Sequence, residues 1–312
     1  MNNTDIPTYL YLNFSCNNRC LFCASKETNN LYLNAQISIE DLFKKINKNY
    51  FLNRNSSTVI ISGGEPTVHP QLIEIIYFLK KWFKQIYLMT NGVKLADPNY
   101  LRLVLESGVT SFSTPLYGDE HLHNYLTGSN SYRLVMTFIE RIYNLKERGE
   151  CINLDLKLLF NKANYKYNPI LAQNLLDRFG GEFSYSINGL FRSDNVVKND
   201  MYSPFDQIGK YISETILILQ KFLIPIRLSL TPLCYIERDI LNDIIFDLFE
   251  QKKFNNDFVY YFRPDTSEIK LFRNDIQEYQ QCKECDIYEL CEKFSSVNSE
   301  KYGNESVFPI KF

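Results

Sequence analysis

Cys16, Cys20 and Cys23 fall within SCNNRCLFCAS (15–25), which spends three of the chain's 8 cysteines on eight positions. A lone buried cysteine usually packs as a small hydrophobe, but three at this density call for another explanation. Structural zinc takes four ligands, commonly in pairs, and no fourth Cys or His lies nearby. Three thiolates on a tight loop suit a cubane iron–sulfur cluster with one iron left open to a non-protein ligand. A second group, CKECDIYELC, supplies Cys282, Cys285 and Cys291, and Cys234 stands in SLTPLC at the end of an apolar run. Four thiolates could hold a further cluster or one zinc ion, and their spacing leaves both open.

Other segments could also do chemistry. ISGGEP (61–66) follows an apolar run directly, and its two glycines allow close approach to a ligand, with carbonyls turned toward a positive group. LMTNGV (88–93) again follows an apolar run, although Asn-Gly is also a common turn pair. STPLYGDEHLHNYLTG (113–128) carries Tyr117 and His123, for which surface or packing roles compete with substrate contact. Cys151 opens CINLDLKLLF and is therefore expected at the opposite end of its strand from the site, in a structural role.

These residues need a scaffold. Candidate strands are Tyr9–Phe14, Thr58–Ser62, Gln85–Thr90, Thr110–Thr114, Ile152–Phe160, Glu182–Ile187 and Ile226–Leu230. Helical periodicity marks 69–83, 131–149 and 167–181. Strand then helix, repeated over short connections, predicts parallel βα units. The unit count predicts an α/β fold: a partial, open (β/α)6 TIM-like barrel over residues 1–232. The motifs then end strands one, two and three on a single face, where βα barrels carry their sites. A small C-terminal α+β module is predicted over 233–312, with a helix at Arg238–Lys252 and a hairpin in 258–272 turning at Pro264–Ser267.

Composition narrows the function classes. Hydrophobic residues make up 45% and charged residues 22%, an ordinary globular balance. A net charge of −2 offers no basic stripe for nucleic acid. No apolar stretch reaches the length of a membrane span, and no secretory signal opens the chain. A cytoplasmic location is expected, where clustered thiols stay reduced and bind metal.

The C-x3-C-x2-C spacing, with Phe22 just before the last cysteine, resembles the radical S-adenosylmethionine (SAM) superfamily. The resemblance implies a [4Fe–4S] cluster on Cys16, Cys20 and Cys23 whose fourth iron chelates the amino and carboxylate groups of SAM. ISGGEP is similar to that family's GGEP segment, which implies contact of Gly63, Gly64, Glu65 and Pro66 with the SAM amino group. TNG resembles a further SAM-touching segment and implicates Asn91 and Thr90. The implied chemistry is reductive cleavage of SAM to methionine and a 5′-deoxyadenosyl radical, which abstracts hydrogen from a substrate.

The C-terminal cysteines and KYGNESVFPI (301–310) resemble SPASM or shorter twitch modules. That implies a second, auxiliary [4Fe–4S] cluster on Cys234, Cys282, Cys285 and Cys291. A full SPASM module uses more cysteines, so one auxiliary cluster is expected, serving electron transfer or architecture. Relatives of this kind mostly mature ribosomally made peptides by cross-linking, epimerisation or backbone rearrangement. The expected partners are a peptide substrate and an external one-electron reductant such as flavodoxin or ferredoxin. With 15 residues before Cys16, no fused leader-recognition domain is expected, and a separate leader-peptide recognition protein is a candidate partner. The alternatives are radical oxidation or epimerisation of a small molecule such as a sugar alcohol, and a noncatalytic zinc-binding scaffold. No nucleic acid or membrane is expected.

Overall fold

Seven strands run parallel in chain order, each paired with the one before it: β1 (Thr8–Tyr11), β2 (Thr58–Ser62), β3 (Gln85–Met89), β4 (Ser111–Leu116), β5 (Asn153–Leu159), β6 (Ser184–Asn188) and β7 (Ile226–Ser229). The computed structural model describes residues 7–24, 35–47, 57–190, 193–224, 226–254, 260–263, 266–270, 276–277, 279–291, 294–295 and 309–311. The sheet curls into a half-barrel, as the sequence predicts, and the observed strands lie close to the predicted spans.

The alternation along β5 explains which face goes where. Leu154, Leu156 and Leu158 are buried in one apolar cluster with Leu171 and Leu175 of the helix that follows. Burying each such leucine stabilises the fold by about 2 kcal/mol. The intervening Asp155 and Lys157 therefore point to the other, concave face. On β6, Tyr185 and Ile187 join the same cluster while Ser184, Ser186 and Asn188 alternate with them. The lumen of the half-barrel is consequently polar.

Helices α1 (Ile39–Asn47), α2 (Leu72–Leu79), α3 (Pro98–Ser107), α4 (Glu120–Thr127), α5 (Tyr132–Glu147), α6 (Asn168–Phe179), α7 (Asp194–Lys198), α8 (Phe205–Gln220) and α9 (Arg238–Phe254) fill the connections. Sequence periodicity located α2, α5, α6 and α9 and passed over the others, several of which are announced by caps instead. Asp97 begins α3 by accepting the amide of Asn99 at 2.8 Å, with Pro98 in the first turn. Asp119 begins α4 by accepting the amide of Leu122 at 2.9 Å, and Gly128 ends it in the left-handed region (φ 60).

The predicted hairpin forms as β8 (Tyr260–Arg263) and β9 (Thr266–Lys270), but it does not stand apart from the barrel. β8 pairs in parallel with β1, Thr8 opposite Tyr260, and the hairpin extends the sheet to nine strands. The physical reason is that β1 would otherwise present an unpaired edge. Residues 264–265 of its turn and 301–308 of KYGNESVFPI lie outside the described residues. No helix among the described residues is long and apolar enough to cross a membrane.

Candidate active site

The loop bearing Cys16, Cys20 and Cys23 leaves β1 and is clamped from two sides. The Arg19 amide donates to the Thr127 carbonyl at 2.8 Å and the Leu21 amide to the Leu126 carbonyl at 3.0 Å, tying the loop to the end of α4. Asn195 and Asn199, from α7 and its C-terminus, donate through Nδ2 to the carbonyls of Cys23 (3.1 Å) and Leu21 (2.6 Å). Phe22 is buried edge-on to Tyr117, ring centroids 4.9 Å apart. Tyr117 in turn stacks on His123 at 5.4 Å, whose Nε2 meets Ser131 Oγ at 3.1 Å. Both are buried supports beneath the loop, which is the packing alternative for this pair.

The two glycines of ISGGEP are required by backbone contact. Gly64 donates its amide to the Asn13 carbonyl and Glu65 its amide to the Ser15 carbonyl, each at 2.8 Å. A Cβ on Gly64 would stand 2.3 Å from the Ser15 carbonyl oxygen, and one on Gly63 2.5 Å from that of Asn13. The segment thus lies directly against the stretch that delivers Cys16. No donor among the described residues bonds the carbonyls of Gly63 or Gly64, so acceptors remain there for a positively charged group.

Glu65 is 1% exposed and joins the second and third motifs. Its Oε1 accepts the Thr67 amide (3.0 Å), the Thr67 hydroxyl (2.6 Å) and the Thr90 hydroxyl (2.6 Å), while Oε2 accepts the Asn91 amide at 2.6 Å. Burial pushes its pKa up, and these donors oppose the shift. Asn91 continues the chain of contacts: its Nδ2 donates to Asn17 Oδ1 at 2.6 Å and lies 3.9 Å from Cys16 Sγ. Pro66 opens a buried turn beside Glu65. Thr90 and Asn91 are therefore held by Glu65, and Asn91 reaches the first cysteine.

The three thiols are in no disulfide, with Cys16 exposed and Cys20 and Cys23 partly so. Although the residue as a whole is exposed, desolvation around the Cys16 sulfur raises its pKa to about 11, the Asn18 amide opposing. They do not converge as ligands of a single ion, and no such group occurs among the described residues. Three thiols on one clamped loop, beside unbonded carbonyls, fit a cubane cluster whose open iron takes an amine-bearing ligand. At the other end, Cys282 is buried while Cys234, Cys285 and Cys291 are partly exposed. Cys285 Sγ accepts the Ile310 amide at 3.4 Å. Cys151 is exposed ahead of β5, at the end of the barrel away from the motifs.

Sequence reasoning missed the lumen. Asp155 Oδ2 accepts the Ser113 hydroxyl at 3.1 Å and its Oδ1 the Ser186 hydroxyl at 2.7 Å. Lys157 and Asn188 stand above it, toward the motif-bearing end. The signal was present in LDLKLL, where two charges alternate with leucines and so share one face.

Residues 11–156 match the family model of the Radical SAM superfamily. Over 168 residues, half of this chain and 48% of the relative, the sequence is 27% identical to GTP 3′,8-cyclase of Pasteurella multocida. It is 26% identical over 140 residues to pyruvate formate-lyase 1-activating enzyme of Escherichia coli, covering 41% of this chain and 54% of that one. The chain thus matches about half the length of these curated relatives. Among solved structures, Streptococcus suis SuiB bound to S-adenosylmethionine aligns with 99% of this chain and 77% of its own, at TM-score 0.62 and 12% identity. SuiB bound to precursor peptide SuiA aligns with TM-score 0.59, 12% identity and coverage of 99% and 76%. The fold is that of radical SAM half-barrels, and the superfamily's sequence match lies within residues 11–156.

Proposed function

We propose that the protein is a radical SAM enzyme that matures a ribosomally synthesised peptide. The observation that carries the first half is the continuous contact from Cys16 through Asn91 and Glu65 to the ISGGEP backbone, assembled at the mouth of a polar lumen. Cys16, Cys20 and Cys23 would hold a [4Fe–4S] cluster, and the Gly63 and Gly64 carbonyls would receive the amino group of SAM. When bound, this pair supplies a 5′-deoxyadenosyl radical by one-electron cleavage of the C5′–S bond of SAM. The protein's own work is positional. The α4 and α7 clamps fix the thiol loop, Glu65 fixes Asn91 against it, and the buried Phe22–Tyr117–His123 stack supports it from behind.

The peptide half rests on the likeness of nearly the whole chain to SuiB, which has been solved with a precursor peptide. In this reading Cys234, Cys282, Cys285 and Cys291 carry an auxiliary cluster in a C-terminal module, and an external one-electron reductant and a separate leader-binding protein complete the system. Small-molecule chemistry is the second reading, favoured by the relatedness to GTP 3′,8-cyclase.

Anaerobic reconstitution tests the proposal through iron, sulfide and 5′-deoxyadenosine. Wild type is expected to bind about eight irons and the Cys16, Cys20, Cys23 triple alanine variant about four, with cleavage of SAM lost. Cleavage that survives in the triple variant refutes the assignment.

A further inference from the structure

Among the described residues, the lumen contains a cation and an acceptor without partners. Lys157 is half-buried on the concave face of β5, and among the described residues nothing hydrogen-bonds or ion-pairs with its ammonium. Among the described residues, the carboxylate acting on it is Asp155, two residues nearer the closed end of the same strand. Asp155 is already committed: Ser113, Ser184 and Ser186 direct their hydroxyls at its two oxygens. Burial lowers the Lys157 pKa and Asp155 only partly restores it, which marks an ammonium stripped of water without full compensation. On the adjoining strand, the side-chain oxygen of Asn188 is buried with no donor among the described residues.

The register makes these two groups neighbours. Lys157 stands opposite Ser186 and Leu159 opposite Asn188, so Lys157 and Asn188 are diagonal on one face. Strand spacing and rise put their Cα atoms about 8 Å apart, a gap the lysine side chain reduces. Both lie toward the C-terminal ends of their strands, below the thiol loop. Arg227, opposite Ser186 on β7, adds a second positive charge to the same face. Among the described residues of the seven strands, that face carries Lys157 and Arg227 against Asp155 alone. A half-buried cation lacking a partner favours an anion over a neutral acceptor, while a buried amide oxygen requires a donor.

We infer that Lys157 and Asn188 form a substrate-anchoring subsite for an acidic residue of the peptide, its carboxylate on the Lys157 ammonium and a backbone N–H on Asn188 Oδ1. The identity of the substrate as a peptide rests on the function proposed above; the carboxylate preference rests on the lumen itself. Asp155 and its serine hydroxyls form the floor that keeps the lysine directed at the mouth.

Equilibrium dialysis of the anaerobically reconstituted full chain tests this, using N-acetyl-L-glutamate and its neutral isostere N-acetyl-L-glutamine as probes, with SAM binding measured in parallel. The glutamate probe is expected to bind wild type at least tenfold more tightly than the glutamine probe. Lys157→Met should abolish that preference and Lys157→Arg should keep most of it. Asn188→Asp should weaken glutamate binding at least tenfold by placing a like charge beside it. SAM affinity should stay within twofold of wild type in each variant. Equal binding of the two probes, no binding to wild type, or an unchanged preference in Lys157→Met overturns the inference. So does a loss of SAM binding in Lys157→Met with the preference intact, since the lysine would then serve the cofactor. Circular dichroism and the arginine variant separate these outcomes from misfolding. A wild type that fails to bind iron or SAM but keeps the probe preference would defeat the enzymatic reading and leave the subsite standing.

Discussion

Gly64→Ala perturbs one methyl group at the point where two motifs touch. The added Cβ would meet the Ser15 carbonyl oxygen at 2.3 Å, the Phe14 carbonyl oxygen at 2.5 Å and the Phe14 carbonyl carbon at 2.7 Å. All three are backbone atoms, so no side chain can swing aside. Restoring the 3.0 Å that real Cβ atoms keep requires the two segments to part by about 0.7 Å. Overpacking of this kind costs about 3 kcal/mol, at the upper end of its usual range because the neighbours are main chain. For a chain of 312 residues, that lowers the melting temperature by roughly 5 °C. The displacement also passes to Cys16 two residues beyond Phe14, so iron content and SAM cleavage should fall well below the stability loss alone, by about 100-fold for a misplacement near 1 Å. Gly181→Ala is the control: its Cβ would come no closer than 3.6 Å to anything, and stability should change by less than about 0.5 kcal/mol. Thermal melts, iron analysis and 5′-deoxyadenosine formation are the assays. A Gly64→Ala protein that melts with wild type and loads full iron refutes the direct backbone contact between ISGGEP and the cysteine loop.

Glu65→Gln turns one of the two carboxylate oxygens into a donor facing donors; it should destabilise by about 2 kcal/mol and weaken SAM binding, read by denaturant titration and dialysis. His123 is buried with its pKa held down to about 4 against 6.5 for the unfolded chain. Between those values the unfolded state binds the extra proton, so stability falls as pH drops from about 6.5 to 4, by up to about 3 kcal/mol. Chemical denaturation across that window should show the slope, and His123→Gln should flatten it. Alanine at Cys282, Cys285 and Cys291 should remove about four irons while sparing some SAM cleavage; unchanged product formation would take the auxiliary cluster out of the mechanism.

The parallel order of the seven strands was legible because each β-rich run is followed by enough chain for a crossover, and crossovers make neighbouring strands parallel. That order alone carries three motifs to one end of the sheet. The short helices α4 and α7 were not legible: EHLHNYLT and DNVVK hold too few apolar residues for a periodic stripe to register, unlike the equally short but apolar LIEIIYFL of α2. Their role lay equally out of sight, because the Thr127 carbonyl and the Asn199 amide meet the cysteine loop only after the chain has crossed the sheet several times.

The spacing of Cys16, Cys20 and Cys23, the glycine pair and the alternation of charge with leucine in LDLKLL are local properties, and sequence alone determined them. Tertiary structure decided what they touch. It turned Glu65 into the tie between two motifs, because only folding brings Thr90 and Asn91 within hydrogen-bond distance of a carboxylate 25 and 26 residues away. It paired the C-terminal hairpin with β1, because an edge strand's need for a partner is met by whichever segment arrives beside it. Among the described residues, it also left Lys157 without a partner while satisfying Asp155, since hydroxyls on β4 and β6 reach the carboxylate and no acid on those strands reaches the ammonium.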